Sequence, residues 1–500
     1  MNSDRKPKFS HPALPLLSGL ISAQIIATIQ VYLSNLTLYT DLIIIEQAGY
    51  LAVPNRNVMP SLEELLPALC GGSFFTLSIG AGLALIAWSA AWIWSRIFFQ
   101  IKQLKVFLIL VWAGLLLWVN INGINFWGTL YCFLIPLIVF QTAVRLLPKP
   151  AQIHSNLRGL FHLLPIILMA ILWMTQYDRH LFIDLRDQLL FSNPVGKKIS
   201  DFYYRYTPYA TGAFTSQNQK TLKTCRMPQL TDQSQIENLE RSLLAMDYLP
   251  VDTDAPVDLE IVRADHHLLL KHEDRVIVKT TAGGIRSDLK HILNQFSVET
   301  DRFAVFRRLT FYGLLLGYPL ILYILFHALF WLVIRIFADR QRAAAISSVI
   351  CLIISICMFA AFLFSRSATI QKDMLEDAFK SGSWQERVAA LRFIESQGLE
   401  IGRYNGYLKS LSSPKIPERY WLAKAMAKSK IGETHDALIL LLNDPNVNVE
   451  SMAFWALARR DDTGALPEIL AALKVSDKWY SQIYAYNTLR TLGWKQTRSN

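Results

Sequence analysis

The sequence predicts a mainly α-helical, polytopic membrane protein with a small external α+β domain and a C-terminal solenoid of helical repeats. Three observations carry that prediction. Seven apolar blocks are long enough to approach the roughly 20 residues with which a helix crosses a bilayer. A long, mixed-polarity insert, 177–308, separates the fifth block from the sixth. The tail, from about 369 onward, repeats with a period of 32 residues.

Composition supports the first of these. Of 500 residues, 52% are hydrophobic and 18% charged, against about 25% charged in a soluble domain. The formal charge of +11 sits largely in short clusters beside the apolar blocks: Arg5, Lys6 and Lys8; Arg96, Lys102 and Lys105; Arg335, Arg340 and Arg342. Clusters so placed are cytoplasmic anchors rather than a nucleic-acid face.

The expected spans are 13–33, 72–95, 104–121, 124–145, 159–176, 309–334 and 344–365. No small-residue cleavage site follows the first block, so it is expected to be a retained span. The third pairs with the fourth as a hairpin through Asn120–Gly123. Domains follow as 1–176 (five spans), 177–308, 309–368 (two spans) and 369–500. Lys and Arg alternate between the connecting segments. The segment 34–71 has only Arg56 against Asp41, Glu46, Glu63 and Glu64, and 120–124 has none, whereas the N-terminus, 96–105, 145–158 and 335–343 have three each. That bias places the N-terminus in the cytoplasm and both large domains, 177–308 and 369–500, on the periplasmic side of a bacterial-type inner membrane. Arg307 and Arg308 dissent, because they flank the sixth span on its outer side.

Asp, Glu, Lys and Arg are missing from the middle of every expected span. Driven ion pathways need intramembrane ionisable groups, so the spans read as a platform rather than a pump. His327, Gln24 and Gln141 are the polar exceptions, and His327 is expected to bond a neighbouring helix.

In the insert, Tyr177–Leu190 has the spacing of a surface helix. It leads into an aromatic run, Phe202, Tyr203, Tyr204, Tyr206 and Tyr209, expected to pack at an interface. A helix (Gln235–Tyr248), three strands (Val257–Arg263, His267–Lys271, Arg275–Thr280) and a closing helix (Ser287–Phe296) make a compact unit. His267, His272 and Asp274 lie near hairpin turns, where solvated turn residues are commoner than a metal site needing three or four convergent donors. No metal, cofactor or catalytic constellation is therefore expected. Cys70 and Cys225 share the outer side on this topology, which leaves a disulfide between them open.

Four segments of the tail align without gaps: Gln385–Ile394, Pro417–Met426, Val449–Ala458 and Ser481–Arg490. Position two is Glu386, Glu418, Glu450 or Gln482, and position four is Val388, Tyr420, Met452 or Tyr484. Shorter apolar helices are expected between them at Arg403–Ser410, Thr434–Asn443 and Gly464–Lys474. Helix–turn–helix units of this kind bury their apolar faces only by stacking. The third copy, with its Asp444-Pro445 turn, its Val447/Val449 helix carrying Ala453 and Ala456, and its Asp461-Asp462-Thr463-Gly464 linker, resembles the HEAT-like repeats of phycobilisome-lyase-type proteins. The resemblance covers about 376–495. The usual Ala-Leu-Gly step is Ala456-Leu457-Ala458 here, and no chromophore chemistry is implied.

What the resemblance implies is a curved stack that binds other proteins. Glu418, Arg419, Trp421, Glu450, Arg459, Trp479, Tyr480 and Tyr484 are the candidate partner-binding residues, since aromatics and Arg dominate binding hot spots. The functional expectation is a multi-pass adaptor or scaffold that binds envelope proteins through the repeats. The alternative is a non-catalytic subunit of a membrane transport complex for a lipid or small molecule, and an enzyme at the membrane surface ranks third. The alternative for the repeats is a cap that stabilises the outer face of the membrane part.

Overall fold

The computed structural model describes residues 13–96, 102–146, 164–175, 181–228, 233–365 and 370–498. The chain is mainly helical with one small sheet. Its longest element, α1 (Ala13–Gln47), has 35 residues, about 52 Å at 1.5 Å per residue. A hydrocarbon core is only about 30 Å thick, so α1 is longer than a single perpendicular crossing needs. The membrane bundle continues with α2 (Leu65–Phe75), α3 (Ala81–Arg96), α4 (Lys102–Val119), α5 (Phe126–Leu146) and α6 (Leu164–Met174).

Five helical stretches are long and apolar enough to cross a membrane: Ala13–Gln47, Leu65–Ser95, Phe126–Leu146, Ala304–Ile334 and Arg340–Leu363. These match five of the seven expected spans. The apolar part of α4, Val106–Val119, is shorter. The span expected at 159–176 falls partly outside the described residues.

Small residues let these helices approach backbone to backbone, as is common in lipid, where packing rather than hydrophobicity drives association. A Cβ on Gly80 would lie 2.6 Å from that of Ala23 in α1, and one on Gly313 would lie 2.4 Å from the Ser78 carbonyl oxygen. Both crossings involve single π turns, Thr76–Gly80 and Gly313–Gly317, which pack on each other. His327 approaches the Ala344 carbonyl of the next helix at 3.3 Å, and Gln24 donates to Leu69 O at 2.8 Å.

The insert begins with a strap, α7 (Leu181–Leu185), a π turn (Arg186–Leu190) and α8 (Pro194–Thr211), started by the Asn193 cap on the Gly196 amide. The mixed domain follows as β1 (Lys223–Arg226), α9 (Gln233–Leu244), β2 (Tyr248–Pro250), β3 (Leu259–Ala264), β4 (His267–His272), β5 (Arg275–Thr281) and α10 (Ala282–Glu299). The strand order is β2-β1-β3-β4-β5. β1 runs parallel to both β2 and β3, and β3-β4-β5 is the antiparallel meander read from the sequence. The two added strands have four and three residues, too few to show an alternation. Cys225 is buried in β1, and both it and Cys70 are free thiols. His267 and His272 stand at opposite ends of the single strand β4, about 16 Å apart at 3.3 Å per residue, so they cannot share an ion.

The chain re-enters the bundle through α11 (Ala304–Tyr312) and α12 (Tyr318–Ile334), and returns along α13 (Arg340–Ser365). The tail forms α14 (Leu375–Lys380), α15 (Trp384–Gln397), α16 (Ile416–Met426), α17 (Gly432–Leu441), α18 (Val447–Arg459), α19 (Leu466–Val475) and α20 (Trp479–Thr491). α15, α16, α18 and α20 carry the four aligned segments. Their period is visible in side-chain bonds: Arg387 donates to Ser381 O, and Arg419, 32 residues later, donates to Ser413 O, each at 2.5 Å. The sheet domain and the repeats lie at one end of the bundle, the end reached by the C-terminus of α1.

Candidate functional site at the domain end of the bundle

Most of the residues expected to bind a partner are engaged by this chain itself. The Trp421 indole is 2% exposed and donates to Asp187 Oδ2 of the strap at 2.7 Å. Arg392 and Lys424 lie over its ring at 4.9 and 4.6 Å. Arg186, bonded to Asp187 at 2.8 and 3.0 Å, lies 4.0 Å over the Tyr420 ring. Arg392 reaches Asp184 at 2.6 Å. Trp479 meets Tyr209 edge-on at 5.1 Å, and Tyr480 meets Tyr204 at 4.9 Å and Tyr484 at 5.1 Å. The strap therefore sits on one face of the stack, and α8 is held between α20 and α2. The aromatic run divides accordingly: Tyr204 and Tyr209 pack inward, whereas Phe202 and Tyr203 are exposed.

The acidic positions serve the stack internally. Glu418 is buried and accepts from both arms of Arg387, at 2.7 and 2.9 Å, and from Ser413. Arg419 pairs with Asp444 at 2.6 Å. Glu450 pairs with Lys478 at 3.2 Å, and burial raises its pKa against that partner. At the same position of the last repeat stands Gln482, whose amide exchanges two 2.9 Å bonds with Asn55 in the loop after α1. Asn55 also donates to Leu473 O at 2.7 Å. The loop thus closes the C-terminal end of the stack as a further repeat would. Arg459 is exposed beside Trp455.

Trp479 and Ile483 of α20 also line a cavity of about 1390 Å3 that the sequence reading did not foresee. Its walls are the outer part of α1, the segment 210–226, the edge of the sheet domain, α11 and Trp127 at the start of α5. The membrane side is apolar and aromatic, with Phe74, Phe75, Phe306, Phe311 and Leu314. The opposite side is charged. Lys220 pairs with Asp258 at 2.5 Å, Arg226 with Glu260 at 3.2 Å, and Arg302 with Glu273 at 3.3 Å. Arg307 pairs with Asp301.

Asp258 is the best-held carboxylate. Burial alone would raise it, but Lys220, the Thr224 amide and the Gln217 side chain outweigh burial and keep it below its ordinary value. Asp41, on α1 about 12 Å past the expected span, has no cation within 4 Å among the described residues. Burial there, opposed by Lys220 and reinforced by Asp258, pushes its pKa up to about 6.

Along α1, Gln30, Ser34, Thr37 and Asp41 all line the cavity. Their spacing of four, three and four residues puts them on one helical face. That stripe was the available signal. It was divided between a span end and a loop, which hid its periodicity. Among the described residues no group of three or more His, Cys, Asp or Glu is arranged to hold a metal. Comparison with protein-family models, with curated proteins and with solved structures found no match to this chain.

Proposed function

We propose that this chain is a multi-pass inner-membrane protein that receives an amphiphile in the cavity at the outer end of its bundle, as a non-catalytic lipid-handling subunit. The observation that carries this reading is the cavity's two-sided chemistry, apolar beside the candidate spans and charged beside the sheet domain. A volume of about 1390 Å3 exceeds the roughly 300–1,000 Å3 of ordinary small-molecule sites, as a headgroup with the start of its chains requires. Leu33, Phe311 and Leu314 both line it and are exposed on apolar helices, which gives a lipid lateral access.

In this reading α4 and α6 also cross, the seven spans anchor the assembly with its N-terminus inside, and the HEAT-like stack is a scaffold whose first partner is its own strap. A photoreactive residue at Thr37, which lines the cavity, is the direct test. Irradiation in native membranes should yield a lipid adduct. Crosslinks to protein alone would overturn the reading.

The adaptor reading keeps support from the outer row of repeat helices, where Leu440 and Val475 are large, apolar and exposed. A partner trapped in intact cells by a photoreactive residue at Leu440 would establish it, and its absence would remove it.

A further inference from the structure

Resting on the amphiphile reading, the cavity also specifies a headgroup. Polar groups that are buried must find hydrogen-bond partners, and an orphan costs on the order of 1–3 kcal/mol. Three side chains in the cavity wall break that rule. Gln30, Asn35 and Gln217 are 1%, 2% and 7% exposed. Their Oε1, Nδ2 and Oε1 atoms respectively have no partner. The other halves of the two glutamines are committed, Gln30 Nε2 to Ala213 O and Gln217 Nε2 to Asp258. The atom that each glutamine leaves unpartnered is therefore an acceptor oxygen.

The charges point the same way. Four of the lining cations are each matched by a carboxylate, as described above, and Lys271 makes no ion pair among the described residues. Against that cation stand three lining carboxylates without an ion pair among the described residues, Asp41, Asp254 and Asp274. Asp254 and Asp274 are at the exposed rim, whereas Asp41 is inside. Two carboxylates, Asp258 and Asp41, act on Lys220, which is already bonded to Asp258 at 2.5 Å. The site is short of one positive charge that can donate hydrogen bonds.

We propose that the cavity binds an amphiphile with a primary ammonium headgroup, seated at Asp41 beside Gln217. Asn35, which lines the same cavity, lies six residues earlier, about 9 Å along α1, at the level of the ester groups of the same molecule. The chains then run among Phe74, Phe75 and Phe311. A trimethylated headgroup carries the charge without the N–H donors, and a glycerol headgroup has donors without the charge, so both fit less well.

The test uses the full chain in detergent, exchanged against an equimolar mixture of phosphatidylethanolamine, phosphatidylcholine and phosphatidylglycerol with identical acyl chains. Retained lipid is counted by native mass spectrometry. Charge-assisted hydrogen bonds at a partly buried carboxylate predict retention of the ethanolamine lipid by about tenfold over the others. In Asp41→Asn that preference should vanish. Equal retention of all three lipids overturns the headgroup assignment and leaves the amphiphile reading standing, whereas retention of none overturns both. A preference that survives in Asp41→Asn also overturns the assignment, as does free ethanolamine displacing the lipid at equal concentration. If Asp41→Asn does not fold, the preference of the unaltered protein decides.

Discussion

Replacing Asp187 by alanine removes a buried group that joins the strap to the centre of the repeat stack. The carboxylate is 3% exposed and takes both arms of Arg186 at 2.8 and 3.0 Å and the Trp421 indole at 2.7 Å. Its loss leaves Arg186 buried without its counter-ion, for which the usual cost is about 3–5 kcal/mol. It also orphans the indole N–H, at about 1–3 kcal/mol. The two losses share one group and do not add fully. Arg186 keeps its place over Tyr420, so a total of about 3–5 kcal/mol is expected. Denaturant unfolding in detergent, followed by far-UV circular dichroism, measures it.

A double-mutant cycle with Trp421→Phe isolates the indole bond. Once Asp187 is gone, losing the N–H should cost nothing further, so the coupling should be about 1–3 kcal/mol. Coupling below about 0.5 kcal/mol, the limit for independent sites, would refute the claim that the strap is held through this contact.

Other perturbations probe the remaining parts. Asn55→Ala removes the Oδ1 that accepts from buried Gln482 and the Nδ2 that donates to Leu473 O and should destabilise the last repeat by about 2 kcal/mol; faster amide exchange in 479–491 would report it, and unchanged exchange would refute the closing role of that loop. Gly313→Ala places a methyl 2.4 Å from the Ser78 carbonyl and should lower the melting temperature markedly, whereas Gly114→Ala, with nothing within 4 Å, should hold or slightly raise it. The Asp41 pKa is raised to about 6 from 3.8, so its protonated form is the one the fold favours: stability should fall as pH rises from about 4 to 6, and Asp41→Asn should flatten that slope. Asp258 has the opposite sign. Its contribution is present above the ordinary carboxylate range and lost as pH falls below it, so Asp258→Asn should shift acid unfolding of the sheet domain.

The parts of the fold legible in the sequence were those with long, uniform periodicity. The apolar blocks announced the bundle, and the 32-residue spacing placed α15, α16, α18 and α20. What could not be read was which distant segment covers which face. Trp421 and Asp187 are 234 positions apart, and nothing local in either marks the other. Aromatics and charges on a repeat helix look the same whether they await another protein or a strap from their own chain. The strands β1 and β2 were too short to alternate, and their parallel pairing is a long-range contact. The polar stripe from Gln30 to Asp41 was readable, because its spacing is helical throughout. It was passed over because α1 was cut at the length of a bilayer, although the helix itself runs on to Gln47.

The central claim is that the cavity holds an amphiphile, and occupancy tests it most directly. The full chain should be extracted from its membranes in mild detergent beside a Ser34→Trp variant, whose indole projects from the lining face of α1. Bound lipid is then measured per protein. The account predicts about one molecule retained by the unaltered chain and little by the folded variant. Equal lipid in both, or none in either, would contradict it.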